Sequence, residues 1–308
     1  MTPAQKINAN GVYDIDIEEY HSDCCVGPST SSSGLRTILT NPQLYWWESY
    51  LNPDREERPK TKAMMLGSAA HILLLGEEGF AERYVLRPTE LSGYKWNANR
   101  TEHKAWLSAR EKEGKIVITK EDIDIIQYMR DGLARHDLIR EGLINGAIEK
   151  SLIWLDEESG IWMKSRPDAI PASSNIIVDL KTCSGTGLRS AQRSFEEFGY
   201  DIQLGIAGWA MEAVLDRVVE KYVIAWVSTK PPYDTMVNPI HDDYPVWGRR
   251  KALRGLEILK ECLETNVWPG NTGDQETLAP TSYYSFAHRE MEDRKELPLI
   301  HKGLGRKK

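Results

Sequence analysis

The sequence predicts an α/β fold, in which helices precede and follow a small sheet and the N-terminus carries an α-helical elaboration. Three observations lead there. Apolar residues recur at helical spacing through the first third of the chain; from Ala147 their period falls from near 3.6 to 2; beyond Gly187 the pattern becomes helix, strand, helix. With no internal repeat, the 308 residues are expected to form a single domain. Residues 1–60 make an N-terminal helical and loop segment, 61–270 the core, and 271–308 a C-terminal loop and tail.

In chain order, residues 1–10 read as disordered, and "GPSTSSSGL" (27–35) as a loop entering a helix, with Ser31 to Ser33 available as caps. "NPQLYWWESYL" reads as a short aromatic helix closed by Asn52-Pro53, and "PDREERPKTK" as a charged connector without core periodicity. "AMMLGSAAHILLLG" is apolar nearly all round, which predicts a buried helix. Tyr94 to Lys115 is polar with scattered tryptophans and reads as helix plus exposed loop. "TKEDIDIIQYMRDGLARH" has helical spacing opened by a cap-like Thr119, with Asp122 three residues on.

The period-2 region predicts a three-stranded meander, "AIEKSLIWLD", "IWMKSRPDAI" and "IIVDLKT", turned by "EESG" and "PASSN". One or two helices follow across 187–216, of which "IQLGIAGWAMEAV" is the firmer part. "KYVIAWVST" reads as a strand ended by Lys230-Pro231-Pro232, and "YPVWGRRKALRGLEILKECLE" as a long amphipathic helix. The final 40 residues read as loop or tail.

Composition narrows the function classes. No run approaches the roughly 18 apolar residues of a membrane span, and the N-terminus lacks a basic start followed by an apolar stretch. A cytoplasmic location without membrane association is therefore expected. The four cysteines include no C-x-x-C pair, which argues against a disulfide framework, a zinc–thiolate site or an iron–sulfur cluster. Ser29 to Ser33 lacks the glycines and lysine of a phosphate-binding P-loop. A net charge of −7 argues against a generally basic body, although a local basic track is compatible with it. Such tracks are Lys95/Arg100/Lys104, Arg189/Arg193, Arg249 to Arg254, and the tail from Lys302 to Lys308.

The chemistry concentrates in "RPDAIPASSNIIVDLKT" (166–182). Alternate residues of a strand share a face, so Ile176, Val178 and Leu180 point one way, and Ile177, Asp179 and Lys181 the other. A hairpin through "PASSN" could bring Asp168 beside Asp179, where two carboxylates repel unless a cation lies between them. Oxygen ligands suit Mg²⁺ or Mn²⁺, and Lys181 then stands where developing negative charge needs a counter-charge. Acid-x-Lys occurs four times in the chain; only Asp179–Lys181 ends an apolar β-branched run with Pro-Asp on the strand before.

These residues also carry a resemblance. "RPD" followed by "IVDLKT" is similar to the P-D…(D/E)-x-K signature of the PD-(D/E)XK nucleases. "YDIQLGIAGW" resembles the Tyr-x-x-Gln helix of RecB-like members, and "GSAAHILLL" the Gly-x-x-x-His helix of several. Together with "SSSGL…NP", "EKSLIW" and "KSRPD", from about Tyr13 to Gly270, they resemble the RecE-type (exonuclease VIII) phage and prophage exonucleases. Relatives often carry His before the Gln and Tyr further along, where this chain has Ile202 and Trp209.

The resemblance implies a restriction-endonuclease-like core, a small mixed sheet flanked by helices. It implies metal ligation by His71, Asp168, Asp179 and the Leu180 carbonyl, with Lys181 as catalytic lysine and Gln203 completing the catalytic set. Tyr200 is implied at the site or the DNA, and Glu149 behind the metal ligands or linked to the metal. From the residues alone, Arg166 and Arg189 read equally as phosphate contacts or as ordinary salt bridges. The implied activity is Mg²⁺-dependent (or Mn²⁺-dependent) hydrolysis of linear double-stranded DNA from 5′ to 3′, in a bacterial host or phage-infected cell. It leaves 3′ single strands for recombination through a single-strand annealing protein, the enzyme working as a homo-oligomeric ring. Two other readings stay open, an endonuclease of the same fold and a non-catalytic DNA-binding or scaffold protein.

Overall fold

The structure is a computed structural model that describes residues 6–56, 61–76, 79–140, 146–172, 174–183, 185, 187–270, 289 and 294. It clusters into two compact units, Met1–Gly270 and Asn271–Lys308. In the second, Arg289 is helical and Arg294 lies in a turn. The remainder of the expected tail, including its basic residues, falls outside the described residues.

The first unit begins earlier than its polar sequence suggests. Residues 6–10 are ordered: Ile7 is buried and bridges Cys25, and Asn10 Oδ1 accepts the Leu155 N–H. β1 (Gly11–Tyr13), α1 (Ile17–His21), β2 (Ser29–Ser31), α2 (Ser32–Thr40) and α3 (Pro42–Glu48) follow. Asn41 caps α3 through the Leu44 N–H, with Pro42 opening the helix. Ser31 occupies the cap position of α2 without a side-chain cap bond, and its backbone instead ends β2.

α4 (Lys62–Leu75) is opened by the Thr61 side chain and closed by Gly76 in the left-handed conformation. α5 (Phe80–Arg83), β3 (Tyr84–Leu86), β4 (Glu90–Leu91), β5 (Tyr94–Lys95), α6 (Thr101–Lys112) and β6 (Ile116–Ile118) lead to α7 (Lys120–Leu133). Thr119 and Asp122 form the expected capping box of α7. A short α8 (Asp137–Arg140) follows.

The expected meander exists, but it is broken twice. "AIEKSLIWLD" splits into β7 (Gly146–Ile148) and β8 (Ser151–Asp156), and "IWMKSRPDAI" into β9 (Ile161–Ser165) and β10 (Ala169–Pro171). The first break lies at Glu149, whose φ of 52° leaves the extended region. The second lies at Arg166-Pro167-Asp168, where proline removes a ladder donor. Each continuous sequence therefore serves two sheets. One has the order β1-β8-β9-β2; the other, with β11 (Ile176–Cys183), β12 (Lys221–Ser228) and β13 (Thr235–Pro239), has the order β13-β12-β11-β10-β7. β11 and β12 pair in parallel over their whole length, while β10–β11 and β12–β13 are antiparallel. The sheet is mixed, as the resemblance implied.

The parallel connection runs through α9 (Leu188–Glu197) and α10 (Tyr200–Leu215), and α11 (Asp243–Thr265) closes the unit. β11 is covered on both faces. Val178 and Leu180 pack with Ala70 and Ile72 of α4 and Ile126 and Met129 of α7. Ile177 joins Ile202 and Ile206 of α10, Leu35 and Ile38 of α2, and Leu256 of α11. Each of these Val, Leu, Ile and Met side chains, once fully buried, contributes about 1.5–3 kcal/mol. α10 and α11 cross with their backbones in contact: a Cβ on Gly205 would stand 2.6 Å from Pro245 O, and one on Gly248 would collide with Asp201 O. Among the described residues, no helix is long and apolar enough to cross a membrane.

Candidate active site

The site forms where β10 stops short. β10 has three residues against eight in β11, and their register pairs Ala169 with Val178. One step further would set Asp168 level with Asp179, but the Pro167 break ends the ladder there. The Asp168 side chain takes over: its Oδ2 accepts the Leu180 N–H in a short hydrogen bond. A strand residue's N–H and C=O project to the same side, so the Leu180 carbonyl also faces this open edge.

From the other face, α4 delivers His71. Its Nδ1 lies 3.5 Å from Asp168 Oδ1 and 3.9 Å from Glu149 Oε1. Glu149 is placed by the first strand break, where its N–H donates to the Asp168 carbonyl. One ligand atom from each of His71, Glu149 and Asp168 falls within 4.8 Å of the others. Glu149, expected behind the metal ligands or linked to the metal, thus stands level with His71 and Asp168. The only local sign is the run of three polar residues, Glu149 to Ser151, which interrupts the alternation where the chain leaves the strand.

Asp179 sits beside this trio in a different set of contacts. Gln203 of α10 donates Nε2 to its Oδ1 at 2.7 Å, and the Lys181 ammonium lies 2.6 Å from its Oδ2. Lys181 Nζ in turn stands 4.7 Å from the centre of the Tyr200 ring. Acid and lysine leave β11 on the same face, and the first turn of α10 closes over them. Arg166, open in the sequence between a phosphate contact and a salt bridge, donates Nε to Glu149 Oε2 at 3.0 Å and Nη1 to the Ile15 carbonyl. It orients Glu149. Arg189 is exposed in the first turn of α9 and lies outside this network. On α11, Arg249, Lys251 and Arg254 pair with Glu212, Asp201 and Glu257, which makes that basic track a mixed-charge face.

Burial and charge set the protonation pattern. Burial lifts the Asp179 carboxyl to about 6, and the Lys181 charge offsets this only in part. Burial also opposes charge on Asp168, yet His71 and Lys181 together hold its carboxyl below the usual range. For His71, burial is outweighed by the Asp168 charge and by hydrogen bonds to Asp168 and Glu149, so its imidazole is raised to about 10. Burial works against the Lys181 ammonium too, but Asp179 and Asp168 keep it charged.

The donor chemistry fits a divalent cation. Two carboxylates and an imidazole converge, with a backbone carbonyl facing the same edge. Oxygen-rich sets of this kind hold Mg²⁺ or Mn²⁺, and the imidazole is better matched to Mn²⁺. A cleft of about 180 Å³ adjoins the site, reaching from Glu149, Asp179 and Gln203 to Tyr20, His21 and Ser33. The N-terminal segment forms its far wall.

Comparison with known proteins follows the same lines. Residues 31–281 match the family model described as a PDDEXK-like domain of unknown function, DUF3799. A crystal structure of a provisionally named exonuclease from Eubacterium rectale superposes with a TM-score of 0.57 at 15% identity, covering 89% of this chain and 98% of that one. A phage-related exonuclease from Haemophilus somnus 129PT aligns over 78% of this chain and 96% of its own at 14% identity, with a TM-score of 0.33. No curated protein matches the chain.

Proposed function

The chain belongs to the PDDEXK-like DUF3799 family, and from that premise we propose that it is a Mg²⁺- or Mn²⁺-dependent deoxyribonuclease acting on the ends of linear duplex DNA. One observation carries the reading: His71, Glu149 and Asp168 converge within 4.8 Å, directly beside the buried Asp179–Lys181 pair. A site that only stabilised the fold would not need three ligand-bearing side chains, from α4 and from two strand breaks, to meet at one open edge.

His71, Glu149 and Asp168 would hold the cation, with the Leu180 carbonyl and Asp179 at its margin. Bound there, a divalent ion supplies Lewis-acid polarisation of a phosphoryl oxygen and lowers the pKa of water. The remaining work falls to the protein's own groups. Lys181, held cationic by the acids around it, stabilises charge developing on the phosphate. Gln203 fixes Asp179 through Oδ1 and leaves Oδ2 to hold Lys181 in place. Arg166 fixes Glu149, and Tyr200 covers the lysine.

Attack from DNA ends, 5′ to 3′ polarity and 3′ single-stranded products for recombination follow the likeness to RecE-type exonucleases. The annealing partner and a homo-oligomeric ring belong to the same proposal. The decisive test is digestion of end-labelled duplex with Mg²⁺ by wild type, Asp179→Ala and Lys181→Ala. Activity that survives both substitutions overturns the mechanism. Digesting 5′- and 3′-labelled duplex separately tests polarity, and cleavage of closed circles would indicate an endonuclease instead.

A further inference from the structure

Resting on the nuclease reading above, we propose that Phe198 is a substrate-binding residue: its ring stacks on a base of the DNA strand that lies across the site. Phe198 ends α9, one residue before Gly199 and two before Tyr200. It is a large apolar side chain, yet it is 47% exposed. Its ring packs against Tyr200 at 5.9 Å between centroids, and Tyr200 in turn covers Lys181 Nζ at 4.7 Å. Two ring contacts thus connect the catalytic ammonium to an aromatic face open to solvent.

The position is rigidly built. Arg36 of α2 reaches across to donate Nη1 to the Phe198 carbonyl, and Phe198 N–H donates to Ser194 O at 3.0 Å. Gly199 takes a φ of 63°, and a Cβ there would lie 2.9 Å from Arg36 Cδ. The turn is therefore closed against Arg36 and aims the ring outward. Phe195, three residues earlier on the same helix, is instead buried and packs on Tyr244 at 4.5 Å.

Charge around the ring suits a nucleic-acid strand. The guanidinium of the exposed Arg36 lies at the Phe198 carbonyl, so a cation able to meet a phosphate stands at the turn that carries the ring. The nearby acids are engaged: Glu197 pairs with Arg193 at 3.8 Å and Glu196 accepts from Tyr244 at 3.3 Å. Stacking is tolerant of sequence because every base has a π-face, which matches an enzyme that must proceed through any sequence.

The test uses a short blunt duplex with 2-aminopurine in the terminal positions of either strand. Binding is measured with Ca²⁺ in place of Mg²⁺, and cleavage with Mg²⁺. Wild type quenches the base fluorescence; Phe198→Ala abolishes the quench and raises KM for duplex ends about tenfold with kcat little changed. Phe198→Trp restores both. Wild-type quench and KM in Phe198→Ala overturn the proposal. So does an altered sedimentation coefficient with quench unchanged, which would make Phe198 a contact between copies of the chain. If wild type neither binds nor cleaves the duplex, the nuclease reading itself fails, a result separable from failure of the platform alone.

Discussion

Asp168 Oδ2 accepts the backbone N–H of Leu180, so a side chain takes the place that the next residue of β10 would have occupied on the sheet edge. The same carboxylate turns its Oδ1 toward His71. One residue therefore completes the sheet and opens the candidate metal site.

These two roles separate by substitution. Asp168→Asn keeps an oxygen for the Leu180 N–H but removes the charge that faces His71, so it should abolish metal-induced stabilisation while losing less metal-free stability than Asp168→Ala. Asp168→Ala also orphans the buried N–H and should lose roughly 1–3 kcal/mol. Urea unfolding in EDTA and thermal shifts with Mn²⁺ measure the two effects. Equal loss of stability in both variants would contradict the assignment of the hydrogen bond.

The pH dependence of the metal-free protein follows from its raised groups. Asp179 at about 6 and His71 at about 10 bind protons more tightly when folded than when unfolded, where 3.8 and 6.5 are usual. Such groups add stability at low pH and lose it as pH rises through their folded values. Asp168, lowered, acts in the opposite sense and loses its contribution only below its usual 3.8. Metal-free stability should therefore decline across the Asp179 window and again across the His71 window. A cation displaces the His71 proton, so the Mg²⁺-induced rise in Tm should grow with pH. A metal-induced shift that stays constant from acid to alkaline pH would exclude His71 as a ligand.

Gln203→Leu removes the donor on Asp179 Oδ1 and leaves a buried carboxylate with one partner fewer. The Asp179 carboxyl should rise further, moving the acid limb of the kcat/KM profile to higher pH. Activity should fall on the order of tenfold at neutral pH and recover toward alkaline pH. A uniform loss at every pH would instead mean that Gln203 acts through packing.

Gly248→Ala places a methyl group against the Asp201 carbonyl where α10 and α11 cross. Overpacking of this kind costs typically 1–3 kcal/mol. Because α10 carries Tyr200 and Gln203, the variant should lose activity before it loses its fold. Denaturant midpoints and kcat, measured on the same preparation, test that order.

Much of the site could be read from the sequence because its spacing is local. Asp179 and Lys181 share a face because they are two residues apart in an extended apolar run, and a short turn returns Asp168 to the edge of the same strand. His71 is legible only through the Gly-x-x-x-His likeness, since an apolar helix gives no reason to prefer a ligand to a packed histidine. Glu149 offers little local sign of the φ of 52° that takes it out of the strand. For Arg166 the sequence leaves phosphate and salt bridge equal, because it does not reveal the partner, Glu149, that neutralises the guanidinium. The parallel pairing of β2 with β9, the ordering of residues 6–10 and the reach of Arg36 to Phe198 are contacts between distant segments, for which no local period exists.

The two strand breaks have a mechanical corollary. Glu149 and Asp168 each stand at a seam where the chain leaves one sheet for the other, and His71 comes from a helix that packs on the second sheet. A cation shared by the three is a rivet through both seams, so loading the site couples the sheets as rigid plates. Amide exchange should then slow on β8 and β9 as well as on β11, far beyond the residues that touch the ion.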